Sequence, residues 1–206
     1  DIEDSYRLTK EAFYLAEKYK TPAIILTDKH LAESSYTIEG LKEYSLPLIK
    51  PKKILGKDLV KTSSYEHDEK GNTIEDAESI RRGFEERKKK IEDLKKEVKR
   101  FKTYEIYGNK KARKIVISTG SNKGAILDAL PSLKNWEFVH INYLLPFADI
   151  EKEIKNKEVY VLEANSTGTL ADLMQGNLGM KIEGKRRILK YDARPWTASE
   201  IIGRLG

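Results

Sequence analysis

Two polar turns carry the residues that could do chemistry in this sequence. The first, at 119–124, reads Thr-Gly-Ser-Asn-Lys-Gly, and the second, at 163–168, reads Glu-Ala-Asn-Ser-Thr-Gly. Each follows a short apolar run and precedes a helical pattern. Backbone N–H groups at the start of a helix can bind phosphate, and Lys123 would add positive charge to the first turn. In the second turn, Glu163 could act as a general base.

Both turns also have a structural interpretation. The first matches neither the G-x-G-x-x-G pattern nor the P-loop, so Gly120 can simply make a tight turn while Ser121 caps the next helix. In the second, capping or a subunit interface is favoured over catalysis, since Asn and Ser are common cap formers. We assign no catalytic residue and keep six candidates for binding or for an interface: Gly120, Ser121, Asn122, Glu163, Asn165 and Gly168.

The three histidines offer one further candidate. They stand at His30, His67 and His140, too far apart in sequence for a metal site built on neighbouring histidines. His140 lies inside an apolar run, which predicts a packed side chain. His67 stands between two acidic residues in an irregular segment, so it has either a role near an active site or subunit boundary, or a place in a hydrogen-bonded turn.

The elements that position the two turns predict an α/β domain at 112–206. Apolar, β-branched runs predict strands near 114–118, 137–142, 158–163 and 187–191. Helices are expected after the first three strands and at the end of the chain. Strands separated by helices need crossover connections, which indicates a mostly parallel sheet flanked by helices.

The first 36 residues predict one helix and one strand. Apolar residues at helical spacing indicate a helix over Asp4–Lys20, capped by Asp4 or Ser5 and ended by Pro22. Ala23–Leu26 then predicts a buried parallel strand. Thr27 and Asp28 follow it, either as a helix cap or at a ligand-binding edge of the sheet.

The middle of the chain predicts a connector with one long helix. The run 37–72 has no periodic pattern and is expected to be irregular. Residues 78–101 predict a continuous helix that buries Phe84, Ile91, Leu94 and Val98 against its own chain. A coiled coil with another helix is the alternative, because the apolar residues alternate spacings of four and three.

Composition excludes several classes of protein. The 206 residues carry a net charge of +6, and 78–114 holds 15 Lys and Arg against 7 Asp and Glu. Acidic residues lie among the basic ones, which favours a solvated helix over a nucleic-acid surface. No apolar run is long enough for a membrane span. There is no Cys to hold an iron–sulfur cluster. The abundance of Lys and Glu, with a single Gln, is typical of a thermophile.

Four segments, in order, resemble a known domain: STGSNKGAILDAL, NYLLPF, VYVLEANSTGTLADL and KYDARPWTASEI. They are similar to the C-terminal, transketolase-like domain of 2-oxoacid:ferredoxin oxidoreductase alpha subunits. Upstream, SSYEHDEKGNTIED and TYEIYG resemble the segment before that domain, and residues 5–34 resemble the end of the pyrimidine-binding domain. The resemblance implies three parts: the end of a thiamine-binding domain at 1–36, a connector with a long basic helix at 37–111, and the transketolase-like domain at 112–206.

The resemblance also implies a function. The intact enzymes oxidatively decarboxylate a 2-oxoacid, pass the acyl group to coenzyme A and send electrons through iron–sulfur clusters to ferredoxin. Thiamine diphosphate and magnesium are held by the beta subunit, so we expect this chain alone to bind no cofactor and to be inactive. The implied partners are the beta subunit and further subunits, with ferredoxin and coenzyme A reached through the complex, in the cytoplasm. Another thiamine diphosphate enzyme, or a non-catalytic assembly module, is the alternative.

The sequence departs from the family pattern at two turns. Gly168-Thr169-Leu170 stands where Gly-Gln-Leu is usual, and Asp192-Ala193-Arg194-Pro195 stands where Asp-Gly-Arg-Pro is usual. Both changes weaken any specific binding role for these turns. At the other end, most of the family's first domain, including the part that meets thiamine, is expected to be missing from this sequence.

Overall fold

The computed structural model describes residues 1–50, 53–54 and 56–206, which form two compact units. Unit 1 consists of Asp1–Tyr6, Leu26–Leu41 and Phe101–Gly206. Unit 2 consists of Arg7–Ile25 and Lys42–Arg100.

Helices and strands alternate through most of unit 1, whereas unit 2 contains two long helical segments, one small hairpin and a long, mostly irregular stretch. The helices are α1 (Ile2–Tyr19), α2 (Lys29–Glu33), α3 (Ala77–Val98), α4 (Asn122–Ala129), α5 (Glu151–Ile154), α6 (Thr169–Leu178) and α7 (Ala198–Leu205). The strands are β1 (Glu66–His67), β2 (Thr73–Ile74), β3 (Tyr104–Gly108), β4 (Lys114–Thr119), β5 (Trp136–Ile141), β6 (Glu158–Glu163) and β7 (Arg187–Leu189). Among the described residues, no helix is both long enough and apolar enough to cross a bilayer.

Unit 1 is built on a five-stranded sheet with the order β3-β5-β4-β6-β7. The pairs β4–β5, β4–β6 and β6–β7 are parallel, which confirms the predicted parallel sheet. Helices α4, α5 and α6 lie in the three successive connections between these strands, and α7 closes the chain. Parallel strands cannot be joined by a tight turn, so these helices supply the crossovers.

The sheet is covered on both faces, which explains why its strands are almost continuously apolar. Alternate residues of a strand point to opposite faces. Ile115 and Ile117 of β4 accordingly pack in one core cluster with Met174 of α6. Val116, between them, packs in the other cluster with Ile201 of α7.

The edge strand β3 extends the sheet beyond the residues that the sequence assigned to it. It pairs antiparallel with β5, from Tyr104 opposite Ile141 to Gly108 opposite Glu137. The resemblance placed this segment in the connector at 37–111, and the apolar pattern of the strand is interrupted by Glu105. An edge strand has one neighbour only and tolerates such a residue.

Unit 2 contains most of α1, the hairpin β1–β2 and α3. The predicted continuous helix after the connector is confirmed at Ala77–Val98, with Asp76 accepting a hydrogen bond from Ser79 N as the N-cap. The hydroxyl of Tyr14 in α1 donates to Glu97 of α3 at 2.8 Å, and Tyr19 donates to Asp93 O at 3.1 Å. These bonds hold the two helices of the unit together.

The predicted burial of α3 is wrong at two positions. Phe84 is 56% exposed and Ile91 is 50% exposed, while Leu94 is half-buried and Val98 is buried. The predicted stripe therefore lies at the border of the buried face.

Polar contacts explain where the buried face of α3 lies. Arg87 pairs with Glu66 of the hairpin, and Lys90 Nζ donates to Lys20 O at 3.2 Å. Glu97, further along the same face, pairs with α1. The face of α3 that carries Arg87, Lys90 and Glu97 is therefore the one that packs against the rest of unit 2. Phe84 and Ile91 lie outside this face and stay exposed.

The predicted buried strand at Ala23–Leu26 is also wrong. The segment is irregular, and Ile24 is 84% exposed. A strand needs a neighbour for its backbone hydrogen bonds, and in the described part of the chain neither sheet includes this segment. The helix before it is confirmed, although α1 begins at Ile2, ahead of the predicted caps Asp4 and Ser5.

The run 37–72 is mostly irregular, as predicted, apart from the short strand β1. Two residues of this predicted connector, Pro51 and Leu55, lie outside the described residues. The boundaries of the three predicted parts, 1–36, 37–111 and 112–206, stay a prediction.

Candidate functional site

The first candidate turn joins β4 to α4. Gly120 has a φ of +69°, a left-handed conformation that favours glycine, which confirms its predicted role in a tight turn. Asn122 fixes the turn to the end of the strand, because its side-chain amide donates to Ser118 Oγ and to Thr119 O, both at 3.2 Å. Ser118 Oγ in turn donates to Leu162 O of the neighbouring strand β6 at 2.7 Å.

The predicted capping of α4 by the Ser121 side chain is wrong. Ser121 occupies the N-cap position but makes no side-chain cap hydrogen bond. Its backbone N–H donates instead to Asp28 Oδ2 at 3.1 Å. The other oxygen of Asp28 accepts from Leu31 N at 3.0 Å and caps α2. Burial opposes ionisation of Asp28, but the hydrogen bonds from Ser121 and Leu31 outweigh it and lower its pKa.

Lys123, the other candidate phosphate contact, is buried in a cluster of carboxylates. Its Nζ lies 2.7 Å from Asp4 Oδ2, 2.8 Å from Glu105 Oε2 and 2.6 Å from Asp1 Oδ2. Burial alone would lower the pKa of Lys123, but the hydrogen bonds to Asp4 and Glu105 raise it overall. The ammonium is thus a fixed positive charge inside unit 1, and carboxylates already surround it.

Glu105 is held ionised by the same cluster. Its burial opposes the charged form, but hydrogen bonds from Lys102, Lys123 and Tyr107 lower its pKa to about 2. Glu105 thereby becomes a permanent negative partner for the buried ammonium.

His140 lies beside the cluster on β5, as a packed side chain. Its Nε2 lies 3.2 Å from Gly120 O, and a carbonyl can only accept, so Nε2 carries the proton. Burial and the charge of Lys123 lower its pKa to about 4, which leaves the ring neutral and Nδ1 buried without a partner. Asp4, Glu105 and His140 offer ligand atoms within 4.8 Å of one another, but the Lys123 ammonium already supplies the cation there.

The second candidate turn joins β6 to α6, and its carboxylate is a helix cap. Glu163 is buried, and it accepts hydrogen bonds from Leu170 N at 2.7 Å and Ala171 N at 3.1 Å. The amide of Asn165 and the hydroxyl of Thr169 donate to the same carboxylate at 2.8 and 3.3 Å. With four donors aimed at it, Glu163 satisfies the start of α6, in line with the capping interpretation.

The other two candidates of this turn complete its backbone. Asn165 Oδ1 accepts from Thr167 N at 3.1 Å and from Gly168 N at 2.6 Å. Gly168 has a φ of +75°, and a Cβ added there would lie 3.1 Å from a guanidinium nitrogen of Arg187. The two turns follow the adjacent parallel strands β4 and β6. All six candidates therefore lie at the carboxyl ends of the parallel strands, on the same side of the sheet.

Two curated alpha subunits match almost the whole chain. The chain is 31% identical to the 2-oxoacid:ferredoxin oxidoreductase subunit alpha of Saccharolobus solfataricus over 225 residues, covering 92% of this chain and 35% of that protein. It is 28% identical to subunit alpha of 2-oxoacid:ferredoxin oxidoreductase 1 of Sulfurisphaera tokodaii over 219 residues, covering 92% and 34%. This chain is a homologue of 2-oxoacid:ferredoxin oxidoreductase alpha subunits. It spans about a third of the length of the curated relatives that it matches.

One solved structure has a similar fold. The 2-oxoglutarate:ferredoxin oxidoreductase from Magnetococcus marinus, solved with 2-oxoglutarate, coenzyme A and succinyl-CoA bound, matches with a TM-score of 0.74. The match has 21% identity and covers 100% of this chain and 40% of that chain. It confirms the α/β fold. No model of a protein family matches the chain.

One departure from the oxidoreductase pattern has a structural consequence. Ala193, in the turn where the pattern has glycine, adopts a φ of +61°. This left-handed conformation is unfavourable for residues with a Cβ. The turn is nevertheless tied down, because Arg194 N donates to Asp192 Oδ1 at 3.0 Å and Trp196 Nε1 donates to Glu163 O at 3.2 Å.

An open cavity of about 340 Å³ adjoins this closing turn, lined in part by Lys190, Trp196 and Glu200. Its central charges compensate each other. Lys190 Nζ donates to both carboxylate oxygens of Glu200, at 2.6 and 2.8 Å. In this oxidoreductase homologue the cavity therefore presents no unpaired group from that pair to a ligand.

His67 belongs to unit 2, whereas the other six candidates belong to unit 1. Its Nε2 is 2.8 Å from Ser63 Oγ, and its backbone pairs with Thr73 in the hairpin. These contacts support the hydrogen-bonded turn. A role near the active site or a subunit boundary of the oxidoreductase stays a prediction.

The cofactors implied for the intact oxidoreductase do not fit the two turns. A diphosphate at the start of α4 would meet the carboxylate of Asp28, and Lys123 is already engaged by carboxylates. At the start of α6, the N–H groups of Leu170 and Ala171 are taken by Glu163. The binding roles predicted for these turns consequently have no support from their geometry.

Sequence reasoning missed the two buried carboxylates that contact Lys123, Asp4 and Glu105. Asp4 was interpreted as a helix cap, and Glu105 was placed outside the sheet domain. A carboxylate within an apolar run was the available signal at Glu105. This pattern could not identify Lys123 as the partner of Glu105, because the two residues come together only in the folded unit.

Proposed function

We propose that this chain is part of the alpha subunit of a 2-oxoacid:ferredoxin oxidoreductase. The observation that supports this most is the match of 92% of the chain to curated alpha subunits. In the proposed reaction, the bond between the carboxyl and carbonyl carbons of a 2-oxoacid breaks and carbon dioxide leaves. The remaining acyl group passes to the thiol of coenzyme A, and two electrons reduce ferredoxin.

The proposed complex contains thiamine diphosphate, magnesium and iron–sulfur clusters, with the diphosphate and the metal held by a beta subunit. Thiamine diphosphate would supply the carbanion chemistry of decarboxylation. We propose further that the assembly works in the cytoplasm and that this chain alone binds neither the thiamine cofactor nor a cluster. The lack of Cys in the sequence supports the proposal that this chain binds no iron–sulfur cluster.

Within the complex, the proposed contribution of this chain is packing and assembly. The polar groups of both turns are engaged in holding helix starts: Asp28 bonds the backbone at Ser121, and Glu163 bonds the backbone at Leu170 and Ala171. A buried carboxylate with four donors is poorly placed to take a proton from a substrate. These contacts favour a structural role over a catalytic one.

The test is an assay of the alpha subunit that carries this chain, purified with its beta subunit. Reduction of ferredoxin should require both a 2-oxoacid and coenzyme A, with omission of either as the control. The isolated chain should show no activity, and calorimetry should detect no tight binding of thiamine diphosphate to it. Activity that ignores coenzyme A would contradict the proposed reaction, and tight binding by the chain alone would contradict the assignment of the cofactor to other segments.

The role of His67 can be tested in the same complex. If the connector reaches the active site, His67→Ala should lower turnover more than His140→Gln, the matched change at a packed histidine. Equal turnover in wild type and His67→Ala would assign His67 to its hydrogen-bonded turn.

A further inference from the structure

The outer face of α3 carries an apolar row that the protein leaves exposed. Phe84 and Ile91 are seven residues apart, so they lie on one side of the helix, about 10.5 Å apart along its axis. Each is at least half exposed. The guanidinium of Arg87 lies 4.5 Å from the centre of the Phe84 ring and covers it from one side only. Large exposed apolar side chains rimmed by charge are typical of contact surfaces.

A basic row runs alongside the apolar one. Arg81, Lys88 and Lys95 are exposed and are also spaced by seven, and they lie roughly 40–60° around the helix from the apolar row. Lys88 and Lys95 pair with glutamates one turn earlier in the same helix. Exposed pairs of this kind contribute little, so the lysines are available to a partner.

We infer that this face binds an amphipathic helix of another polypeptide whose apolar seam is flanked by acidic residues. The α3 face consists of Arg81, Phe84, Lys88, Ile91 and Lys95. Phe84 and Ile91 would occupy the positions that pack between two helices, and the basic row would occupy a flanking position, where charge selects the partner. The inference does not depend on the proposed oxidoreductase function.

Charge argues against a second copy of this chain as the partner. In an antiparallel pair of copies, the row Arg81, Lys88 and Lys95 would face itself. This arrangement brings like charges together across the seam, which is destabilising.

The same face suits an acidic helix better than a nucleic acid. Nucleic-acid binding has no use for an apolar row at the centre of the contact. The seam of an amphipathic helix would instead bury Phe84 and Ile91.

The experiment uses a designed probe, because the natural partner is not identified. The probe is a fluorescent four-heptad peptide with leucines along one seam and glutamates at both flanking positions. A second peptide has lysines at the flanking positions, and a duplex DNA oligomer is the third probe. Binding of each to the whole chain is measured by fluorescence anisotropy, and sedimentation reports the oligomeric state of the chain alone.

The acidic peptide should bind, and added salt should weaken it. Lys88→Gln with Lys95→Gln should weaken binding roughly fivefold, since two exposed charge pairs are lost. Ile91→Ser should weaken it about tenfold or more, because an apolar side chain no longer becomes buried. Lys134→Gln with Lys155→Gln, the same charge change at exposed lysines of unit 1, should leave affinity unchanged, and circular dichroism should show full helix content in each variant.

Four results would overturn the inference. They are no binding of the acidic peptide, equal or tighter binding of the basic peptide, tighter binding of the duplex, and a dimer of the chain that Ile91→Ser abolishes. Binding that is unaffected by both α3 variants would place the contact elsewhere and would overturn it as well.

Discussion

Lys123 of α4 donates a hydrogen bond to Asp4 of α1 across 119 positions of sequence, with nitrogen and oxygen 2.7 Å apart. The same ammonium contacts Glu105 of the edge strand β3 at 2.8 Å. One buried charge therefore links the first turn of the chain, the edge of the sheet and the helix after β4. Asp4 and Glu105 share this one ammonium.

Lys123→Met should destabilise the chain strongly. The substitution keeps most of the side-chain volume but removes the buried ammonium that the carboxylates of Asp4 and Glu105 share. Loss of one partner of a buried ion pair costs about 3–5 kcal/mol, and the free energy of unfolding in urea should fall by that amount.

The control for this prediction is Lys96→Met. Lys96 pairs with Asp93 at 3.4 Å on the exposed surface of α3, and such pairs contribute about 0–1 kcal/mol. If Lys123→Met costs no more than Lys96→Met, the buried cluster does not stabilise the fold.

The four parallel strands of the sheet could be predicted from the sequence, but the antiparallel edge strand β3 could not. β4, β5, β6 and β7 are predicted well because strands that are buried on both faces must be apolar throughout. The sequence does not reveal whether an apolar run has a neighbour, and Ala23–Leu26 was wrongly assigned to a strand for that reason. The burial of α3 failed similarly, since its inward face is set by ion pairs with distant residues.

The sequence identifies the two turns as candidates, but the contacts of their side chains depend on residues that are distant in sequence. The preference of Ser for N-caps predicted capping by Ser121, and Asp28, 93 positions earlier, provides the contact at this helix start. For the turn at 163–168 the sequence favours capping or an interface, since Asn and Ser are common cap formers. The carboxylate of Glu163 supplies the cap in the structure.

Stability should fall as pH falls, with His140 as the main contributor just below neutrality. The unfolded histidine has a pKa of about 6.5, and burial lowers the folded value to about 4. Between these values the unfolded state binds more protons, so acid favours unfolding. The expected loss between roughly pH 7 and pH 5 is about 2 kcal/mol, measured by urea unfolding.

The variant His140→Gln isolates this effect. Asp4, Glu105 and Lys123 also face the ring, but Glu105 titrates in the folded chain only near a pKa of about 2 and Lys123 only in strong alkali. His140→Gln should therefore flatten the dependence between roughly pH 7 and pH 5. An unchanged slope in this variant would mean that another group titrates there.

Glu163→Gln should lower the stability of the chain by weakening the start of α6. It should not cause the large loss of turnover expected when a general base is removed. The amide would turn an N–H group toward the donors at Leu170 and Ala171, and a buried donor left without a partner costs about 1–3 kcal/mol. Glu158→Gln, an exposed change at the start of β6, is the control for stability. In the assembled enzyme, turnover should fall far less than the roughly hundredfold typical of losing a general base, and a hundredfold loss would restore Glu163 as a catalytic residue.

Ala193→Gly should stabilise the chain, because Ala193 has a φ of +61° in the closing turn. A left-handed residue with a Cβ is unfavourable by about 1–2 kcal/mol, while glycine adds about 0.5–1 kcal/mol of entropy loss on folding. The net gain should be about 0.5–1 kcal/mol in urea unfolding, the difference between these two terms. The control is Ala125→Gly within α4, where the backbone is helical and the same change should destabilise by about 0.5–1 kcal/mol. Destabilisation by both changes would show that the turn at Ala193 relaxes out of the left-handed region in solution.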